Sequence, residues 1–273
     1  MSPTEIALLQ FEIYILILIR CSGLFVFAPF FSSEIWPPQV RAMGSLVLAW
    51  CVYMALPFTK SASVGDIGMF PYMIFMELMI AFLLGFAAKM LLNGILMAGS
   101  FMGNFIGFSM ISTIDPFSDE ENNVLGQMYY MFGILLFVIS GGHHLLIRVL
   151  ALTFEVIPLG GFTYTQASHN YLLGMSNRMW EVGIELSAPV LITMTFITIG
   201  LGLLAKAVPQ MNIFAVGFLI KIVVGMIVLL FTLEYSIDYM QDLFLEMQSN
   251  LINLIKLSRP PTRAPSRDRP RYG

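Results

Sequence analysis

Residues 71–111 read PYMIFMELMIAFLLGFAAKMLLNGILMAGSFMGNFIGFSMI, and Glu77 and Lys89 carry the stretch's charge. A membrane-crossing helix needs about 20 mostly apolar residues, so the run is roughly twice one span. As unbroken helix it would measure about 60 Å at 1.5 Å per residue. It has to kink, project from the bilayer or break in two, and Gly94 and Gly99 are the break points the sequence offers.

Five further apolar runs flank it: Ile6 to Ala28, stopped by Pro29; Val40 to Leu56, stopped by Pro57; Asn123 to Phe154; Trp180 to Ala205; and Ile213 to Leu233. Of the 273 residues, 58% are hydrophobic and 11% charged, where a soluble domain carries about 25% charge. Mean hydropathy is +0.81. Water could not solvate that much apolar surface with so few charges, whereas lipid can. The fold class is an all-α membrane protein with about six hydrophobic helical segments. The opening MSPTE has no basic region and Arg20 interrupts the first run, so this run reads as a retained membrane segment rather than a cleaved signal. Cys21 and Cys51 lie in apolar runs and read as small buried hydrophobes.

After Leu233 the pattern changes. Glu234, Asp238, Asp242 and Glu246 recur every four residues, which places one acidic stripe on an amphipathic helix. The stripe is either a solvated face or a surface for partner subunits. Residues 1–257 form one polytopic helical domain, and 258–273 form a disordered, Pro-rich basic tail. Six of the fourteen Lys and Arg lie between Lys256 and Arg271, which puts that end in the cytoplasm by the positive-inside rule. With six spans the N-terminus is cytoplasmic too, and the acidic stretch from Asp115 to Asn122 is periplasmic. The net charge of −3 argues neither for nor against a nucleic-acid partner, and none is assigned.

The chain lacks the HExxH zinc motif, the GxxxxGK[ST] phosphate loop and the GxSxG nucleophile elbow. His143 and His144 are neighbours pointing about 100° apart on a helix, a poor start for a shared metal; His169 lies in a polar loop. The reading is no enzyme, no metal and no cofactor. The informative polar residues are ionisable groups in or beside apolar runs: Glu12, Arg20, Glu77, Lys89, Arg148, Lys206 and Lys221. Such groups are expensive in lipid. Lys89, Arg148 and Lys206 can snorkel. Glu77 and Lys221 lie deeper and need partners: each other, a backbone carbonyl or another subunit.

Gly99, Gly103 and Gly107 repeat every four residues and make a flat strip where another helix can approach closely. Next comes GFSMISTIDPFSDEENN at 107–123. Pro116 disfavours helix at Asp115, so the helix ends near Ile114, and Ser118 with Glu121 reads as a capping box for the next. The result is a loop with an apolar stem (Phe108, Met110, Ile111, Ile114) and an acidic tip. Met97, Met102, Met110, Met128 and Met131 gather around it. Adaptable methionines suit a moving seal and ordinary membrane packing equally.

Four stretches in this order resemble one family: RCSGLFVFAPFFSSEIWPPQVR at 20–41; GSFMGNFIGFSMISTIDP at 99–116; LLFVISGGHHLLIRVL at 135–150; and APVLITMTFITIGLGLLAKAVPQMNIFAVGFLIKI at 188–222. The chain is similar to the FliR family, the R subunit of the flagellar type III protein-export gate. A close relative is the T-type subunit of virulence secretion systems; the PQMNIF and DPFSDEENN segments look more like the flagellar branch. The resemblance implies kinked helical hairpins wound into a helical gate assembly. It implies the P and Q subunits (FliP, FliQ), the B and A export proteins (FlhB, FlhA), exported flagellar proteins and membrane lipid as partners. It also implies the bacterial inner membrane and the flagellar basal body as location. In that family the loop matching Gly107 to Asn122 plugs the closed pore. The resemblance carries that role to Gly107, Phe108, Ser109, Met110, Ile111 and Ile114, with Asp115 and Pro116 setting the bend.

Overall fold

The computed structural model describes residues 2–33, 36–55, 67–108, 123–208, 210 and 212–257, with 67, 213 and 214 described as backbone. Every described secondary-structure element is helical: α1 (Pro3–Phe27), α2 (Pro38–Ala55), a 3-10 turn (Ile67–Met69), α3 (Phe70–Ile106), α4 (Val124–Ile139), α5 (Gly142–Val156), α6 (Gln166–Ala207) and α7 (Ile213–Leu257). Four of them, α1, α3, α6 and α7, are long and apolar enough to cross a membrane, and the pair α4–α5, bent by 65°, makes a fifth candidate.

Helix α1 starts on a full capping box. Glu5 N–H donates to the Ser2 hydroxyl at 3.2 Å, Ser2 N–H donates back to the Glu5 carboxylate at 2.7 Å, and Pro3 takes the first turn. Two exposed helix donors are thereby satisfied.

Helix α3 is the hub. It packs against α1, α4, α6 and α7, and touches α5. Its buried positions include Glu77, Ile80, Leu84, Leu91, Ile95, Met102 and Ile106. Half of the residues in its most apolar 18-residue window are buried, against 11% in that of α6. The core is therefore organised on α3, while α6 turns most of its apolar surface outward. The expected break at Gly94 or Gly99 does not occur: α3 is one helix of 37 residues, about 55 Å long. Each glycine sits where a neighbour needs the missing Cβ. At Gly94 that atom would lie 2.9 Å from the Met179 carbonyl of α6. Continuous helix of that length is nearly twice a hydrocarbon core of about 30 Å.

The break falls elsewhere. The run from Asn123 to Phe154 divides at Ser140–Gly141, where Gly141 adopts φ 74°, a conformation that costs glycine little.

Helix α6 holds Pro189 in its interior. Its hydroxyls bond back to carbonyls of the same helix: Ser187 to Gly183 at 2.7 Å, Thr193 to Pro189 at 2.8 Å, Thr198 to Met194 at 2.7 Å. This hides their polarity in an apolar setting. Helix α7 fuses the last apolar run to the amphipathic segment in one helix of 45 residues. Beyond Leu233 its inner face buries Met240, Leu243, Phe244, Met247, Leu251, Leu254 and Ile255, with Phe244 edge-on to Phe137 of α4 at 5.5 Å.

Candidate functional site

Two features set the chain's polar and steric architecture: a buried ion pair near one end of α3 and a clamp on α4 at the other.

Arg20 of α1 and Glu77 of α3 are both 0% exposed. Arg20 Nε donates to Glu77 Oε2. Its Nη1 reaches the Thr153 hydroxyl at 3.2 Å and the Ile157 carbonyl at 3.4 Å, and the guanidinium lies 4.3 Å from the centre of the Phe154 ring. The other Glu77 oxygen accepts from Gly160 N–H at 2.7 Å. One neutralised pair thus ties α1, α3, the end of α5 and the turn after it. Glu77 therefore does not pair with Lys221. Charges this deep demand a partner, and Arg20 arrives because α1 lies along α3. Lys221 is half-buried on α7 and makes no ion pair among the described residues. Its segment passes the C-terminal end of α3: a Cβ at Gly225 would come within 2.7 Å of Ile106, and one at Gly107 within 3.7 Å of Phe218. Glu12 is half-buried, and Lys89, Arg148 and Lys206 are exposed.

At the far end of α3 the glycine strip meets α4. A Cβ at Gly99 would lie 2.5 Å from the Leu125 carbonyl and 2.8 Å from Gly126 Cα, and one at Gly103 would collide with the Asn123 side chain. Asn123 is the local organiser. Its Oδ1 accepts from Gly126 N–H at 3.3 Å and caps α4, while its Nδ2 donates to the Ser100 carbonyl at 2.7 Å and to Asn104 Oδ1 at 3.2 Å. Gly107, at φ 106°, ends α3, with its N–H and that of Phe108 both donating to the Gly103 carbonyl at 3.1 and 3.0 Å. That left-handed ending favours glycine. Phe108 is half-buried and packs on the core. Ser109, Met110, Ile111, Ile114, Asp115 and Pro116, with Ser118 and Glu121, lie outside the described residues. Of the methionines, Met102 is buried, Met97 fills the space at Gly183 of α6, and Met131 is exposed; Met110 is outside the described residues.

The acidic stripe divides. Glu234, Asp238 and Asp242 are exposed. Glu246 is held by Arg178 of α6 at 3.3 Å, and Arg178 also reaches Glu181 at 3.1 Å and Glu185 at 3.3 Å. Tyr239 donates to Glu185 as well. The Arg178–Glu181–Glu185 spacing on one helix face is readable in the sequence; the reach to Glu246 is not. Cys51 is exposed, contrary to its apolar surroundings in sequence, because it falls on the outer face of α2; Cys21 is buried. The rings of His143 and His144 lie 4.0 Å apart, and among the described residues no three His, Cys, Asp or Glu side chains converge as a metal site.

A helical bundle with four or five candidate spans, a buried charge pair and a glycine-clamped hairpin defines a polytopic helical membrane protein. The chain belongs to the family of bacterial export proteins, family 1, whose model matches residues 11–247. It is 28% identical to the flagellar biosynthetic protein FliR of Bacillus subtilis strain 168 over 256 residues, covering 91% of this chain and 97% of that one. Against the FliR of Escherichia coli K12 identity is 25% over 248 residues, with 89% and 93% covered. The surface presentation of antigens protein SpaR of Shigella flexneri is 26% identical over 202 residues, covering 74% and 77%.

Proposed function

We propose that this chain is a structural and gating subunit of the flagellar type III protein-export channel in the bacterial inner membrane, at the flagellar basal body. It assembles with P and Q subunits and with the A and B export proteins, and it passes unfolded flagellar proteins rather than catalysing a reaction. The observation that carries the reading is the α3–α4 clamp. Gly99 and Gly103 bring the two helices into backbone contact, and Asn123 bonds back to Ser100 and Asn104. Both ends of the 109–122 connection are therefore rooted on one rigid hairpin, as a stopper requires. In the resting state the stem from Phe108 to Ile114 seals the conduit to water and ions. Energy comes from other components and the proton-motive force. The similarity to SpaR supports a second reading, the same part in a virulence secretion gate.

The test is affinity isolation of the tagged chain from native membranes in mild detergent. Stoichiometric recovery of P-type and Q-type subunits is the expected result. A chain that purifies alone and transports a small solute when reconstituted contradicts the gate reading in favour of a stand-alone transporter using Glu77, Lys89 and Lys221.

A further inference from the structure

Helices α1 and α2 form an antiparallel hairpin. At one end Tyr14 meets Trp50 and Tyr53 edge-on, with ring centres 6.2 and 5.8 Å away. At the other, a Cβ at Gly44 would come within 2.8 Å of the Phe25 ring. Beside Phe25 the hairpin opens into one groove of about 390 Å³, lined from α1 by Ser22, Phe25 and Val26 and from α2 by Arg41, Ala42 and Ser45, and by no carboxylate. Arg41 is half-buried. Its Nε is shielded from solvent and has no hydrogen-bond partner, and Arg41 makes no ion pair among the described residues. A shielded donor with no acceptor in its own chain calls for one from outside it. Ser22 and Ser45 donate to the Ile19 and Ala42 carbonyls of their own helices at 3.0 and 2.8 Å, which leaves the guanidinium as the free donor among these side chains. Arg41 also closes the first turn of α2, a turn without an acid. Its charge adds to the positive end of the helix dipole, and an anion relieves that arrangement.

The depth of the groove says which anion fits. Helix α1 has 25 residues, about 37 Å of length, a little more than a hydrocarbon core of about 30 Å. Ser22, Phe25 and Val26 occupy its last two turns, level with the lipid phosphates when α1 crosses the bilayer. Trp36, exposed in the connection at the same end, is of a residue type that collects at that level. Towards the bilayer centre the α1 wall continues at helical spacing through Leu18, Ile19 and Ile15, all half-buried. The first charge on that face is Glu12, about 15 Å from Ser22. The outer face of α2 is apolar as well, with Met43, Val47 and Met54 exposed.

We infer that the α1–α2 groove binds an anionic phospholipid, its phosphate on Arg41 and one acyl chain against Phe25, Val26 and the α1 face beyond them. Arginine presents paired N–H donors that match a phosphate. Cation and apolar wall belong to a single cavity, which selects a lipid over a free anion. The inference rests on α1 as a membrane span and stands whether or not the chain gates export.

The test is native mass spectrometry of the full-length chain, purified in neutral detergent with its co-purifying partners and titrated with phosphatidylglycerol or phosphatidylcholine. Phosphatidylglycerol binds at least tenfold more tightly, and Arg41→Gln weakens it about tenfold, the range of a hydrogen bond to a charged group. Ala42→Glu, at an exposed position, puts a carboxylate in the groove while keeping Arg41 and weakens binding similarly. Lys89→Gln, an exposed cation on α3, leaves binding unchanged. Equal binding of the two lipids, full binding by both groove variants, or an equal loss in Lys89→Gln overturns the site. So does selectivity that emerges only in Glu34→Gln, since that acid, the nearest to Arg41 in sequence and outside the described residues, would then be its partner. Loss of a co-purifying subunit in Arg41→Gln with lipid binding intact overturns the site in favour of a protein carboxylate. Displacement of phosphatidylglycerol by millimolar inorganic phosphate overturns the lipid assignment in favour of a simple anion.

Discussion

Arg20 and Glu77 are the residues on which the bundle's polar balance rests. Both are 0% exposed, and the pair is satisfied on several sides. Removing one member of a buried pair strands the other charge and costs about 3–5 kcal/mol, whereas replacing both by apolar residues is close to neutral. Arg20→Leu should therefore lower stability by about that amount, and Arg20→Leu with Glu77→Leu should recover most of it, as read by thermal unfolding in detergent. An Arg20→Leu protein as stable as the parent contradicts the account. The sequence marks both residues as costly in lipid, but it cannot show that they meet. They are 57 positions apart, and nothing in either run states how α1 lies on α3. The same gap left Lys221 as an apparent partner for Glu77. Cys51 fails for a related reason, since an apolar run does not reveal which face of its helix looks outward.

At the scale of elements, glycine has opposite meanings in neighbouring helices. Gly99 sits against the backbone of α4, while a Cβ at Gly200 on α6 meets nothing within 4 Å. Gly99→Val should force α3 from α4 and cost about 1–3 kcal/mol. Gly200→Ala should stabilise the chain by about 0.5–1 kcal/mol through helix propensity alone. Unfolding of the two variants side by side checks this, and equal effects of the same sign would contradict the packing described for α3 and α4. Four-residue spacing keeps Gly99 and Gly103 on one face, and both meet α4, whereas Gly107, third in the repeat, ends α3 in a left-handed turn and faces Phe218 of α7. The spacing was legible; the helices it meets were not. The α4–α5 bend was also hidden: Ser140, Gly141 and Gly142 interrupt an apolar run without changing its hydropathy, and a glycine signals freedom to turn without requiring it. Gly94 shows the converse, a glycine inside continuous helix that lets Met179 and Val182 of α6 pack on it.

For the whole molecule, length and exposure decide. Helices of 37, 42 and 45 residues run about 55 to 68 Å, roughly twice a 30 Å hydrocarbon core. Composition made the membrane class legible, since no watery fold hides this much apolar surface. It could not say which long helices project or bend, because depth is set by packing against neighbours. Exposed apolar side chains such as Phe196, Leu203, Leu230 and Phe231 cover the outside of α6 and α7. Such a surface suits lipid and neighbouring subunits alike. The gate reading joins these scales: a bundle tied at one end of α3 by an ion pair and at the other by glycines, holding a short connection between clamped helices. The most direct measurement is ion conductance across membranes carrying the assembled gate after residues 108–114 are replaced by a Gly-Ser linker of equal length. The account predicts a clear rise in leak while P-type and Q-type subunits still co-purify. Unchanged leak from a fully assembled gate would contradict it.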